Sequence, residues 1–331
     1  MILTINMNED SYDIVIEKGS IAKVDDFIDL KRKVLIVTDS GVPDSYAKKV
    51  ANQASESYIF TIEQGERNKN FENYYAIISY LIEKSFTRTD CIIAVGGGVV
   101  GDLAGFVAST YKRGIDFYNI PTTLLAMVDS SIGGKTAIDF KETKNVIGSF
   151  YQPKKVIIDI NVLKTLDERL IHAGLVEALK MGITSNRAVF DCIKNSTDLN
   201  QDLEWIIKEA LLIKKEVVEL DPKEKGIRKI LNFGHTIGHA IESASMGKLY
   251  HGECVGLGML YMCTDGVRKE ILEVLKKYDL PTFHNVSKET IMKYIGYDKK
   301  VTGDKITIVY VNQIGTYEMH LIEVKDIIQY L

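Results

Sequence analysis

The sequence predicts a two-domain chain: an α/β domain built on a parallel sheet over residues 1–160, then a mostly α-helical domain over residues 161–331. Three observations predict it. Up to about residue 160, short apolar β-branched runs alternate with helix-patterned stretches, the pattern of a parallel sheet. One of those runs ends in a glycine triplet, Gly96-Gly97-Gly98, that opens a helix. Beyond residue 160 the helical period takes over, and half of the chain's six histidines (His235, His239, His251) fall in one short span of that region.

The elements follow in order. Tyr12, Ile14 and Ile16 alternate with polar neighbours, so the N-terminal stretch reads as strand or hairpin. Lys33–Thr38 is a continuous apolar run ending in Asp39-Ser40-Gly41, a buried strand and a turn. Ser57–Ile62 is a further strand and Phe71–Lys84 a helix. Cys91–Val95 runs into the glycine triplet, and Phe117–Ile120 and Lys155–Ile160 complete the sheet. Asp167–Ser185, Leu203–Leu220, Ile227–Ala244 and Glu253–Lys269 carry helical periodicity, with Asp167 and Asp221-Pro222 as start signals. Only Lys305–Val311 and Tyr317–Leu321 look like strands near the end.

Composition narrows the function. An apolar share of 46% and a charged share of 26% are ordinary for a globular enzyme. A net charge of −4 gives no electrostatic case for nucleic acid or an anionic membrane. No apolar run approaches the ~18 residues of a membrane span, and no signal peptide is evident. Four scattered cysteines without a CxxC pair read as buried thiols of a reducing compartment, so a cytoplasmic enzyme is expected.

Val95-Gly96-Gly97-Gly98-Val99-Val100-Gly101-Asp102 sits where a strand meets a helix N-terminus, a place suited to a nucleotide phosphate. The spacing is not GxGxxG, and tight helix–strand packing is the alternative. Asp39 could accept from a ribose hydroxyl or simply cap a turn, and Thr122-Thr123 could bind a nucleotide or cap the next helix. In Asp129-Ser130-Ser131-Ile132-Gly133-Gly134-Lys135-Thr136 the P-loop pattern fails, because Asp129 stands where it needs glycine. Lys135, Lys144 and Arg113 still supply cations for an anionic substrate, with Asn145 beside them.

His235 and His239, four apart, share a helix face. Glu177 lies in an otherwise apolar helical stretch, where a carboxylate is costly unless paired or metal-bound. Two histidines and a glutamate are an established catalytic zinc set. The spacing alone does not choose between His235 with His239 and His235 with His251.

These motifs together resemble the 3-dehydroquinate synthases, from about Val34 to the C-terminal strands: Gly96–Asp102, Pro121–Ala126, Asp129–Lys135, Leu231–His239, His251-Gly252-Glu253 and Asp298-Lys299-Lys300. The resemblance implies a Rossmann-like NAD-binding α/β domain, a helical metal domain and a homodimer. It implies conversion of 3-deoxy-D-arabino-heptulosonate 7-phosphate to 3-dehydroquinate and phosphate, with NAD+ reduced and regenerated in one turnover. Metal ligands (Zn2+ or Co2+) would be Glu177, His235 and His251. NAD contacts would be Asp39, Gly65, Glu66, Lys69, Gly98, Val99, Val100, Gly101, Asp102, Thr122 and Thr123, with Lys135 and Lys144. The substrate would draw on Arg113, Asp129, Lys135, Lys144, Asn145, Lys180, Lys214, Arg228, Asn232, His239 and Lys299. Gln64 departs from the acidic residue frequent there, and His172 has no assigned role.

Three competing readings share part of this pattern. A related cyclase making an inosose or a valiolone would not need Lys214 and Arg228 for a carboxylate. A metal-dependent polyol dehydrogenase would release NADH and would not need the lysines for phosphate. A non-catalytic nucleotide-binding module would not need Glu177, His235 and His251.

Overall fold

The computed structural model describes residues 1–141, 143–296 and 304–331. It separates into two compact units, Met1–Leu166 and Asp167–Leu331.

The first unit is built on a seven-stranded sheet. Its strands are β1 (Ile2–Ile5), β2 (Tyr12–Ile16), β3 (Lys33–Asp39), β4 (Glu56–Ile62), β5 (Cys91–Gly96), β6 (Asp116–Pro121) and β9 (Lys155–Ile158). Their order is β1-β2-β9-β6-β5-β3-β4. Only the β1–β2 pair is antiparallel. The unbroken apolar runs of β3 and β5 are buried almost end to end, as befits strands covered on both faces. Helices α1 (Asp44–Ala51), α2 (Phe71–Glu83) and α3 (Gly98–Thr110) connect them. Leu35, Val37, Ile92 and Ala94 of the sheet share a core with Ile77 and Leu81 of α2 and with Val100, Leu103 and Val107 of α3.

The chain leaves β3 for β4 on one side and returns to place β5 on the other. The switch point of the sheet therefore lies at β3 and β5, where open α/β sheets bind ligands. Val37 pairs with Ala94, which sets Asp39 level with Gly96 at the carboxyl ends.

The polar glycine-rich stretch Asp129–Thr136 runs into an antiparallel hairpin that the sequence did not predict, β7 (Lys135–Phe140) with β8 (Thr143–Phe150). Thr136, Ala137 and Ile138 are buried in succession, so no alternating pattern marked the strand.

The second unit holds α4 (Glu168–Ser185), α5 (Arg187–Asn195), α6 (Leu199–Leu220), α7 (His235–Ser245), α8 (His251–Met259), α9 (Asp265–Lys277) and α10 (Lys288–Ile295), followed by a β10 (Lys305–Tyr310)–β11 (Glu318–Glu323) hairpin. Asp167 caps α4 by accepting from the Arg169 N–H at 2.9 Å. Asp221 does not start a helix. It ends α6, and its carboxylate accepts from the N–H groups of Lys225, Gly226 and Arg228.

Two predicted helices are broken. Ile227–Ala244 is a 3-10 turn over Ile227–Asn232 and then α7, interrupted at Gly234 with φ of 77°. A side chain at Gly234 would sit 2.7 Å from the Val255 carbonyl oxygen. Glu253–Lys269 is likewise split into α8 and α9. Among the described residues no helix is long and apolar enough to cross a membrane. Three of the four cysteines are buried and free, and Cys192 is partly exposed.

Candidate active site

Glu177 on α4, His235 at the start of α7 and His251 at the start of α8 converge in the second unit. Glu177 Oε1 lies 3.6 Å from His235 Nε2 and 3.5 Å from His251 Nε2. Tetrahedral ligands at zinc-like bond lengths of about 2.0–2.1 Å stand roughly 3.4 Å apart, so this donor set fits a divalent cation. Both imidazoles are turned the right way. His235 Nδ1 is 3.1 Å from the Phe233 carbonyl oxygen, and His251 Nδ1 is 3.0 Å from Glu242 Oε2. An N–H donated at Nδ1 leaves the Nε2 lone pair for a metal.

A second set is also close. One ring nitrogen of each of His235, His239 and His251 lies within 4.8 Å of the others. The two sets share His235 and His251 and differ in Glu177 against His239. Burial alone would lower the His251 pKa, but hydrogen bonds to Glu177 and Glu242 outweigh it and push it up to about 10. A cation taken up at Nε2 must displace that proton.

Helix packing sets these positions. A Cβ on Gly252 would fall 1.8 Å from the Ala173 carbonyl oxygen, so only glycine lets α8 approach α4 this closely. Glu253 secures the start of α8. Its carboxylate accepts from the Tyr250 N–H at 2.8 Å and is gripped by Arg169 through Nε at 2.6 Å and Nη2 at 2.9 Å.

Among its described residues the same unit buries Lys180 at 1% exposure, Arg228 at 2% and Lys214 at 3%. Burying a cation costs several kcal/mol unless an anion stands near it. The Lys180 ammonium pairs with Glu177 Oε2, which leaves Oε1 toward the imidazoles. The loop after α6 organises two further candidates. Arg228 Nη1 donates to the Pro222 carbonyl at 2.7 Å, and Asn232 Nδ2 donates to Glu224 Oε1 at 2.7 Å.

In the first unit, Gly97 caps α3, and Gly98 to Asp102 form its opening turns. A Cβ on Gly97 would press on the Thr123 side chain at 3.1 Å, and one on Gly98 on Ser130 Oγ at 3.1 Å. The bare backbone and the helix N-terminus fit a dinucleotide phosphate. Asp39 Oδ1 accepts from the Gly41 N–H at 2.8 Å, and Thr123 Oγ1 from the Ala126 N–H at 3.2 Å, so both also serve the turns in which they sit. Thr122 is buried at the end of β6, its N–H on the Gly96 carbonyl.

Glu66, Lys69 and Asp102, expected as separate nucleotide contacts, meet one another. Lys69 Nζ lies 2.9 Å from Glu66, 3.2 Å from Asp102, 3.9 Å from Asp139 and 2.5 Å from Asn145 Oδ1. Burial would depress the ammonium, yet the three carboxylates more than offset it and raise its pKa. Burial pushes Asp102 up to about 6 against the pull of Lys69. Asn145, with φ of 52°, donates its N–H to Asp139 at 2.8 Å. Lys69 thus ties the hairpin that carries Lys135 and Lys144 to α3.

Other candidates are scattered. Lys135 and Lys144 are exposed on the hairpin, Gly65 has φ of 113° after β4, and Asp129 is half-buried in the turn Ala126–Ser130. Arg113 is exposed before the start of β6, at the opposite end of that strand from Thr122, so its own chain does not group it with the carboxyl-end residues. Lys299 lies outside the described residues. His172 packs edge-on against Tyr278, with ring centroids 5.2 Å apart, and belongs to helix packing. Gln64 lies over Gly41 in the turn after β3.

Sequence reasoning missed Glu242, Asp139 and Glu224. Glu242 carried a signal: it is seven residues past His235, on the same face of α7. Asp139 and Glu224 carried none, because their partners are brought to them by a hairpin and a loop.

Two family profiles match the chain, 3-dehydroquinate synthase N-terminal over residues 59–173 and 3-dehydroquinate synthase C-terminal over residues 174–301. The chain is 39% identical to a 3-dehydroquinate synthase of Clostridium acetobutylicum, over 99% of this chain and 98% of that one. Similar solved structures include 2-deoxy-scyllo-inosose synthase complexed with carbaglucose-6-phosphate, NAD+ and Co2+ (TM-score 0.89, 25% identity, 100% and 99% of the two chains). Another is 2-epi-5-epi-valiolone synthase from Streptomyces hygroscopicus with NAD+ and Zn2+ bound (TM-score 0.89, 25% identity, 98% and 97%).

Proposed function

The chain belongs to the 3-dehydroquinate synthase family, and from that premise we propose how its residues divide the work. It converts 3-deoxy-D-arabino-heptulosonate 7-phosphate into 3-dehydroquinate and phosphate, using NAD+ and one divalent metal. Whole-chain identity of 39% to a 3-dehydroquinate synthase, against 25% to the inosose and valiolone synthases, supports the carboxylated substrate over its rivals.

In this reading Glu177, His235 and His251 hold the metal. The observation that carries it is the convergence of their three donor atoms at 3.5 and 3.6 Å in a unit that buries Lys180, Lys214 and Arg228. Asp39, Gly65, Glu66, Lys69, Gly98–Asp102 and Thr122-Thr123 bind the dinucleotide. When bound, NAD+ supplies a reversible hydride acceptor for C5 and the metal a Lewis acid for the oxygens at C4 and C5.

Arg228, with its planar fork, and Lys214 take the substrate carboxylate. Lys135 and Lys144 hold the phosphate so that its own oxygen reaches the C6 proton. Lys180 has three donors, one of them on Glu177, and can also meet a substrate oxygen. Asn232 and His239 hold hydroxyls, with His239 able to hold or move a proton there. The chain's contribution is mostly positioning and charge neutralisation. A cytoplasmic homodimer completes the proposal, with the domain boundary near residue 160.

The test is phosphate release from the heptulosonate phosphate with and without a chelator, while absorbance is followed for NADH. Phosphate should appear with no accumulation of NADH, and the chelator should stop it. Accumulating NADH would mean a dehydrogenase instead. The phosphate role of Lys135 has its own test. Lys135→Ala should lower turnover far more than NAD+ affinity; collapsed NAD+ binding with turnover retained would reassign Lys135 to the dinucleotide.

A further inference from the structure

We propose that Glu242 is a positioning residue for the metal, fixing the tautomer and rotation of His251 so that Nε2 presents its lone pair to the cation. This rests on the reading of Glu177, His235 and His251 as ligands. Glu242 Oε2 lies 3.0 Å from His251 Nδ1, while His251 Nε2 faces Glu177 Oε1 at 3.5 Å. A carboxylate only accepts, so Nδ1 keeps its hydrogen toward Glu242, and a cation that displaces the Nε2 proton meets the lone pair there.

The two histidines need this help to different degrees. His235 is 9% exposed, and its Nδ1 is fixed by the backbone carbonyl of Phe233, two residues away in sequence. His251 is 32% exposed at the first residue of α8, and its Nδ1 meets the Glu242 side chain rather than a local backbone carbonyl. Glu242 is itself only 14% exposed and lies seven residues past His235. One face of α7 therefore supplies a ligand and, two turns on, the group that aims the other ligand. A charged acceptor also makes the imidazole a stronger donor to the metal.

The experiment measures zinc affinity by competition with a chromogenic chelator, and the visible d–d spectrum with Co2+ at saturation, on the full-length protein stripped of metal. Glu242→Ala should weaken zinc about 10- to 100-fold and alter the Co2+ bands, because the ring leaves its orientation. Glu242→Gln keeps an acceptor without the charge, so its loss should be smaller, about three- to tenfold. A merely structural residue would leave the saturated Co2+ spectrum unchanged.

Zinc affinity within about twofold of wild type in both variants, with unchanged Co2+ bands, overturns the proposal. Should Glu242→Ala not fold, Glu242→Gln decides by the same criterion. His251→Ala separates the two levels. If it keeps wild-type zinc affinity, the ligand assignment itself is wrong; if it loses zinc while the Glu242 variants do not, only the role of Glu242 falls.

Discussion

Glu177→Ala should reduce metal content from about one ion per chain to near zero and lower turnover by roughly 10^3-fold or more, since a Lewis acid at the reacting oxygens is worth several kcal/mol. The loss has a second component. Glu177 is fully buried, and its Oε2 is the partner of the equally buried Lys180. Removing one member of such a pair leaves an uncompensated charge and typically costs about 3–5 kcal/mol. The metal-free variant should therefore melt earlier than metal-free wild type. Glu177→Gln keeps the shape and an acceptor for Lys180 but not the charge, so it should recover only part of that stability and none of the metal. Metal analysis by plasma emission, beside thermal melts of the stripped proteins, checks both parts. An ion retained at one per chain in Glu177→Ala would remove Glu177 from the ligand set.

Gly252→Ala should be the most damaging small substitution in the helical unit. The added Cβ would meet the Ala173 carbonyl oxygen at 1.8 Å, a backbone atom that cannot swing aside. Overpacking costs about 1–3 kcal/mol where side chains can adjust, so a loss of about 3 kcal/mol or more is expected, roughly 10 °C in melting temperature. The damage should also reach the metal. Ala173 lies four residues before Glu177 on α4, and Gly252 directly follows His251 on α8, so the wedge pushes two ligands apart. Melts with and without zinc should show a smaller stabilisation by zinc than in wild type. A melting temperature within about 2 °C of wild type would mean that α4 and α8 are less tightly joined than this.

What could be read from the sequence was whatever depended on local period. The buried runs of β3 and β5, the glycine triplet at the end of β5, and the shared face of His235 and His239 were all visible. The strand order, visible only in the fold, puts Asp39 and Gly96 on the strands that flank the switch point. Tertiary context hid the rest. The β7–β8 hairpin buries Thr136, Ala137 and Ile138 in succession, so it shows no alternation. The break before α7 comes from the crowding of Gly234 by Val255 and Met259, residues distant in sequence. Glu66, Lys69 and Asp102 were legible one at a time as nucleotide contacts. Their mutual pairing, with Asp139 and Asn145 added by the hairpin, was not. The choice of His251 over His239 came from resemblance; the local geometry supports it through the Glu242 contact and the two short distances to Glu177.

Whether one carboxylate and two imidazoles hold a single cation can be seen by anomalous diffraction from crystals grown with Zn2+. A peak is expected about 2.0–2.2 Å from Glu177 Oε1 and from Nε2 of both His235 and His251, with His239 beyond bonding distance. A peak bonded to His235, His239 and His251, with Glu177 still turned to Lys180, would contradict this ligand set.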